Sequence, residues 1–282
     1  MDRSIVFVLV FIVATSVAYY FWQEHEVSKV LSQQHEVKVA VPESTVDITP
    51  STPRIRYPVP SVVEETAGEE IHSTVQEIIK SPDPLPTLEE SDIAVKARLQ
   101  EIYAPENPGS IFIIREFIRH FVVTIDNLDG RKLAKRYSIT RPPEATFIVK
   151  KSGTEDEYTV DKENEKRYEP YMKFLSAVND QQFLSIYVRF YPLFQEAYEE
   201  LGYPERYFND RLIEIIDHML RTPVTEGDIT LVRPKVYYQF ADSNLENLSA
   251  GQKILIRIGT SNAQIVRERL RSIRKLLTTI GA

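Results

Sequence analysis

The sequence predicts a mainly α-helical single domain, with room for one small β-hairpin, preceded by a transmembrane helix and a disordered linker. Three observations carry that reading. An uncharged run of 18 residues begins at Ile5, a proline-rich acidic stretch follows it, and the rest of the chain places apolar residues at helical spacing between recognisable caps and stops.

At 282 residues, with 43% hydrophobic and 27% charged side chains, the chain is large enough to bury a core, which excludes wholesale disorder. Lys and Arg number 34 against 41 Asp and Glu, a net charge of −7 that argues against a polyanion held by bulk electrostatics, so nucleic acid is not an expected partner. There is no cysteine, which removes disulfides, thiolate metal sites, a cysteine nucleophile and the acylated cysteine of a lipoprotein.

Residues 1–4 form a short tip, and residues 5–22 (IVFVLVFIVATSVAYYFW) follow without a charge. At about 1.5 Å per residue, a helix of this run nearly spans a hydrocarbon core of about 30 Å, which predicts a single membrane anchor. Tyr19, Tyr20, Phe21 and Trp22 give its far end the aromatic character of the headgroup zone. Ser16-Val17-Ala18 resembles a cleavage site, but the apolar run exceeds a usual signal core and its flank holds only Arg3 beside Asp2. Arg3 before the span, with Glu24 and Glu26 after it, predicts a cytoplasmic N-terminus and an exported remainder.

Residues 23–87 hold eight of the 17 prolines and 11 acidic against 5 basic side chains, nearly the whole negative balance. Proline favours extended backbone and like charges repel, so this stretch is expected to be a disordered tether spanning roughly 45 Å. Ile71, Val75 and Ile78 have helical spacing, but one such turn is too short to be stable alone. Residues 88–282 carry 29 acidic and 28 basic side chains and read as one globular domain.

Within it, residues 93–103 predict a short helix before Pro105, and residues 111–122 another, with Ile111, Ile114, Ile118 and Phe121 inward and Arg115, Arg119 and His120 outward. Residues 126–130 read as a turn, and residues 145–151 and 158–161 as the arms of a small hairpin. A helix over residues 168–178 is followed by one capped by Asp180, in which Phe183, Tyr187, Tyr191, Phe194, Tyr198 and Leu201 form an aromatic stripe. Pro192 is expected to kink or divide it, and Gly202 to end it. Asn209 reads as the cap of an amphipathic helix over residues 210–221. Residues 236–240 predict a strand, Ser249 a cap for a helix stopped by Gly259, and Ser261 a cap for the last helix. That last helix turns Val266, Leu270, Ile273, Leu277 and Ile280 inward and Arg267, Arg271, Arg274 and Lys275 outward.

The strings YPLFQEAY at Tyr191, LGYP at Leu201, FNDRL at Phe208 and GQK at Gly251 resemble a bacterial family known only as domain of unknown function 3014. Asn164, Arg167, Tyr168, LVRP at Leu231, FAD at Phe240 and Leu245-Glu246 extend the likeness over most of the chain from Ile111. The resemblance implies a bacterial protein with a membrane span, a variable linker and one C-terminal domain. It implies no activity, cofactor or catalytic residue.

The chemistry-bearing motifs are mostly missing. There is no GxGxxG or GxxxxGK[ST] phosphate cradle, no HExxH around His25, His35, His72, His120 or His218, and no GxSxG elbow, so no cofactor or metal is expected. Four positive candidates remain. Glu214 and Asp217 beside His218 have the spacing of a general base pair, although the polar face of an amphipathic helix explains them more simply. Glu196, Glu199 and Glu200 near Tyr191 and Tyr198 include acids of the kind glycoside hydrolysis needs, or else form a solvated face. Asn209, Asp210 and Arg211 join a helix N-terminus to a planar donor and suit a polar ligand, or else form a cap and a salt bridge. Arg267, Arg271 and Arg274 offer a basic face to anionic lipid or an acidic partner. The expected function is that of a non-enzymatic binding or scaffolding module in the inner membrane, its domain in the periplasm, recognising an envelope protein or cell-wall material. The alternative is a glycan hydrolase with paired carboxylates.

Overall fold

The computed structural model describes residues 55–59, 84–103, 107–153, 156–225 and 227–280. The predicted span at residues 5–22 and most of the predicted tether lie outside them, and no helix of the described residues is long and apolar enough to cross a membrane. Eight α-helices occur among the described residues: α1 (Ser91–Ile102), α2 (Phe117–Asp126), α3 (Glu169–Ala177), α4 (Asp180–Glu200), α5 (Phe208–Leu220), α6 (Ser243–Glu246), α7 (Ala250–Arg257) and α8 (Thr260–Thr279). The predicted hairpin is present as β1 (Val149–Lys151) and β2 (Glu157–Val160), but it belongs to a larger antiparallel sheet. With β3 (Thr230–Val232) and β4 (Gln239–Phe240) the strand order is β1-β2-β3-β4, so the single-hairpin expectation is corrected to four strands.

α4 is the spine of the domain. Asn179, one residue before the predicted cap, has extended backbone and forms a reciprocal capping box with Gln182. Pro192 lies inside α4 without dividing it. The helix ends in a Schellman turn: the Gly202 N–H donates to Glu199 and the Tyr203 N–H to Tyr198, with Gly202 at φ 111°. Tyr203 then stacks on Tyr198 at 4.8 Å between ring centroids, the apolar contact that accompanies such turns. Five stripe residues, Phe183, Tyr187, Tyr191, Phe194 and Tyr198, are buried, and Leu201 lies past the helix end in solvent.

α2 packs on α4, and α8 lies along α5. Val266, Leu270, Ile273 and Leu277 of α8 are fully buried beside Ile213, Ile215, Ile216 and Met219 of α5 in one continuous core. Each such side chain contributes about 1.5–3 kcal/mol on burial. α8 starts at Thr260, which places the predicted cap Ser261 inside its first turn. α2 starts at Phe117 and not at Ile111, because the backbone of Ile111–Ile113 pairs with Ile139–Arg141: Ile113 donates to Ile139, and Arg141 to Ile111. Ile118 and Phe121 keep their inward places, and His120, expected outward, is buried as well because Tyr137 of the 3-10 turn at Lys135–Tyr137 packs against it. The sheet closes a smaller core of Leu231, Phe240 and Ile256, and buried Asn164 pins it by bonding both main-chain groups of Ile148.

Candidate functional site

α5 begins after Tyr207, and its first N–H groups are met from α4. Gln195 Oε1 accepts from the Phe208 N–H at 2.8 Å, and the Tyr191 hydroxyl accepts from the Asn209 N–H at 3.4 Å. Gln195 is itself oriented by donating to Glu199 and to the Arg206 carbonyl. Asn209 is therefore not the cap that its residue type suggests. It sits in the first turn of α5, wholly buried, with its side chain free for another task.

That task is set by Tyr187, whose hydroxyl donates to Asn209 Oδ1 at 2.8 Å. Burial raises the Tyr187 pKa well above its ordinary value, so the phenol stays protonated and keeps donating. The amide N–H2 of Asn209 is thereby turned toward the gap between α5 and α8. There it donates to the Tyr57 carbonyl at 2.8 Å and the Leu277 carbonyl at 3.4 Å.

Tyr57 belongs to residues 55–59, a strap seated across this gap. Asp210 accepts both of its leading N–H groups, from Arg56 at 3.0 Å and from Tyr57 at 2.9 Å. The Tyr207 hydroxyl accepts the Val59 N–H at 3.2 Å. Between these held positions lies Pro58, which has no N–H to satisfy. The side chains add an exposed Arg56–Glu214 ion pair at 2.9 Å and the burial of Val59, only 6% exposed, in the main core. An amide, a carboxylate and a phenol, each fixed by α4 or α5, thus grip the main chain of a short segment that bends at Arg56 and Tyr57. These contacts require no particular side chain on the occupant.

The family described as "Protein of unknown function (DUF3014)" matches residues 117–274. The chain belongs to that family. Every side chain of the DUF3014 domain that grips the strap lies within the matched stretch, and the strap lies outside it. No curated protein and no solved structure matches the chain.

The other predicted site residues fall into separate places. Arg211 turns away from the cleft: its Nε donates to Asp126 at 2.8 Å, and its Nη groups reach the Asp126 carbonyl and Asp129. Its burial disfavours the charge, but Asp129 and Asp126 outweigh that and hold its pKa above the usual value. Glu214 faces the strap through Arg56. His218 Nε2 lies 2.8 Å from Ser249 Oγ, which also accepts the Gln252 N–H as the cap of α7. Of the basic face, Arg267 donates to the carbonyls of Leu220, Thr222 and Pro223, Arg274 pairs with Asp217, and Arg271 is exposed. Glu196, Glu199 and Glu200 lie on the solvent side of α4, with Glu200 bound to Arg119 at 2.7 Å. Among the described residues, no group of three or more His, Asp or Glu is placed to hold a metal ion.

Sequence reasoning missed Tyr187, Tyr191, Gln195 and Tyr207 as cleft residues, and Arg56–Val59 as their occupant. The available signal was the use of tyrosine at two successive turns of a buried stripe, since each buried hydroxyl needs a polar partner.

The buried imidazole of His120 and the half-buried one of His218 give the domain a pH dependence. Burial lowers the pKa of both His120 and His218 below the ordinary 6.5. The folded state then binds fewer protons than the unfolded one, so this stability is complete above pH 6.5 and is lost as the pH falls from there toward the depressed values. We expect a lower midpoint of thermal unfolding at pH 5 than at pH 7.5, and a flatter profile in the double variant His120→Gln and His218→Gln. Equal slopes in the two proteins would show that the imidazoles are not responsible.

Proposed function

We propose that this DUF3014 protein is a non-enzymatic binding module of the bacterial cell envelope. A single-pass, N-in helix at residues 5–22 holds it in the inner membrane, and its periplasmic domain captures a short segment of another envelope protein. The observation that carries the reading is the grip of Asn209, Asp210 and Tyr207 on the main chain of residues 56–59. Its support is chemical: fixed donors and acceptors aimed at main-chain groups select a short polypeptide segment bent so that two successive N–H groups meet one carboxylate. The carboxylates of Asp126, Asp129, Asp217 and Glu200 each face an arginine, which supports a binding role over hydrolysis by paired acids.

Crosslinking in intact cells, followed by carbonate-washed membrane isolation, tests it. The full chain is expected in the washed membranes, with periplasmic proteins attached. Asp210→Ala removes a charged acceptor of two N–H groups, an effect of about 1.5–3 kcal/mol, but it loosens the resident strap as well, so attachment should fall about two- to fifteenfold. Recovery of the chain as a freely soluble species, or partners that do not respond to Asp210→Ala, would overturn the proposal.

A further inference from the structure

The cleft is closed by the strap, which covers Asn209. Asn209 is wholly buried, and without Tyr57 its amide would keep only the long 3.4 Å contact to Leu277. With the strap gone, water meets this amide in place of the Tyr57 carbonyl, and an occupant regains the net of that hydrogen bond, about 0.5–1.5 kcal/mol. Yet its occupant is held lightly. Residues 55–59 place one side chain, Val59, fully in the core, and the ion pair of Arg56 with Glu214 is exposed to solvent. A short segment with this few buried contacts belongs to the part of a fold that opens first.

The strap also carries side-chain information. Arg56 answers the exposed carboxylate of Glu214, Tyr57 lies half-buried against the core, Pro58 fills the one position whose N–H is not read, and Val59 fills a buried socket. We propose that residues 56–59 are a resident stand-in for the partner: the cleft takes a segment with a cation, an aromatic, a proline and a small aliphatic residue in succession, which displaces the strap. This rests on the binding-module reading and names its partner's chemistry. A segment in the same chain as its site faces it at an effective concentration on the order of a millimolar, so an outside peptide with a dissociation constant of about 0.1 mM binds the strapped protein about tenfold more weakly.

The experiment uses the detergent-solubilised full chain and a fluorescein-labelled peptide of residues 55–60, read by anisotropy. Arg56→Glu with Val59→Asp unseats the strap, and Arg56→Glu alone does so more gently should the double variant unfold. Expected are about tenfold tighter binding to the double variant than to the wild type, and loss of binding when the same two changes are made in the peptide. If native and altered peptides bind equally, the side-chain specificity is overturned while main-chain capture stands. If no peptide binds a folded, unstrapped chain whose crosslinked partners still depend on Asp210, this inference fails and the binding-module reading survives. Wild-type dimers that dissolve on unseating the strap would show exchange between two copies and overturn occupancy by the chain's own segment.

Discussion

Arg211→Ala should lower the free energy of unfolding by about 3–5 kcal/mol, the range for removing one partner of a buried ion pair. The guanidinium is 18% exposed and Asp126 13%, so neither charge is well screened by water. Removing Arg211 takes three interactions at once: Nε with Asp126 Oδ1, Nη2 with the Asp126 carbonyl, and the contacts to Asp129. What remains is worse than what is lost. Asp126 stays at the end of α2 with one long bond, from the Tyr203 hydroxyl at 3.3 Å, as partner to its carboxylate. Arg211→Lys should restore only part of the loss, because an ammonium cannot match the two-sided geometry by which the planar fork meets Asp126 and Asp129. Pairing Arg211→Met with Asp126→Leu should cost less than the sum of the single changes, since no orphaned charge is then left in place. Urea denaturation monitored by circular dichroism measures the wild type, Arg211→Ala, Arg211→Lys, the double variant and its two single components. A loss under 1 kcal/mol for Arg211→Ala would place this pair among the weak surface bridges.

Most of the helical scaffold could be read from the chain because its information is local. The stripe of α4, the divided faces of α5 and the Ser249 cap of α7 each lie within one or two turns of sequence, where period and cap chemistry act directly. The errors occur where a distant partner takes over. Ile111, Ile114 and Ile118 have helical spacing, yet the chain leaves the helical path at residues 112–113 because residues 139–141 supply main-chain partners. β3 and β4 hold three and two residues, and residues 161–229 separate β2 from β3, so no short window shows that these strands pair. The cleft has the same character. Asn209 has the residue type of a cap and stands at a helix start, and Gln195 and Tyr191 of α4, by satisfying the Phe208 and Asn209 N–H groups, release it for the strap. Asn209, Asp210 and Glu214 were legible as candidates, whereas their target was not, because Arg56–Val59 is a proline-containing segment with no periodicity.

Gly251→Ala should destabilise the domain by about 2–4 kcal/mol, although alanine is the better helix former by about 1 kcal/mol. Gly251 stands in the first turn of α7, where the Ala250 N–H donates to Gly130 at 2.8 Å and the Gly251 N–H to Leu128 at 3.0 Å. The turn after α2 thus supplies the acceptors that the start of α7 lacks within itself. This docking needs a close approach: a Cβ at residue 251 would lie 2.6 Å from Met219 Sδ and 2.9 Å from the Leu128 carbonyl oxygen. Met219 can move, but the carbonyl is backbone and is also the hydrogen-bond acceptor. Relieving the clash therefore pulls α7 off the very groups that anchor it and loosens Met219 in the core. Each hydrogen bond lost there removes about 0.5–1.5 kcal/mol, which together with overpacking exceeds the helix-propensity gain. Gly153→Ala is the matched control, because a Cβ there meets nothing within 4 Å and the change should be nearly neutral. Equal urea midpoints for the two variants would mean that α7 can slide without loss and that the seam between the α2 turn and α7 is not a fixed contact.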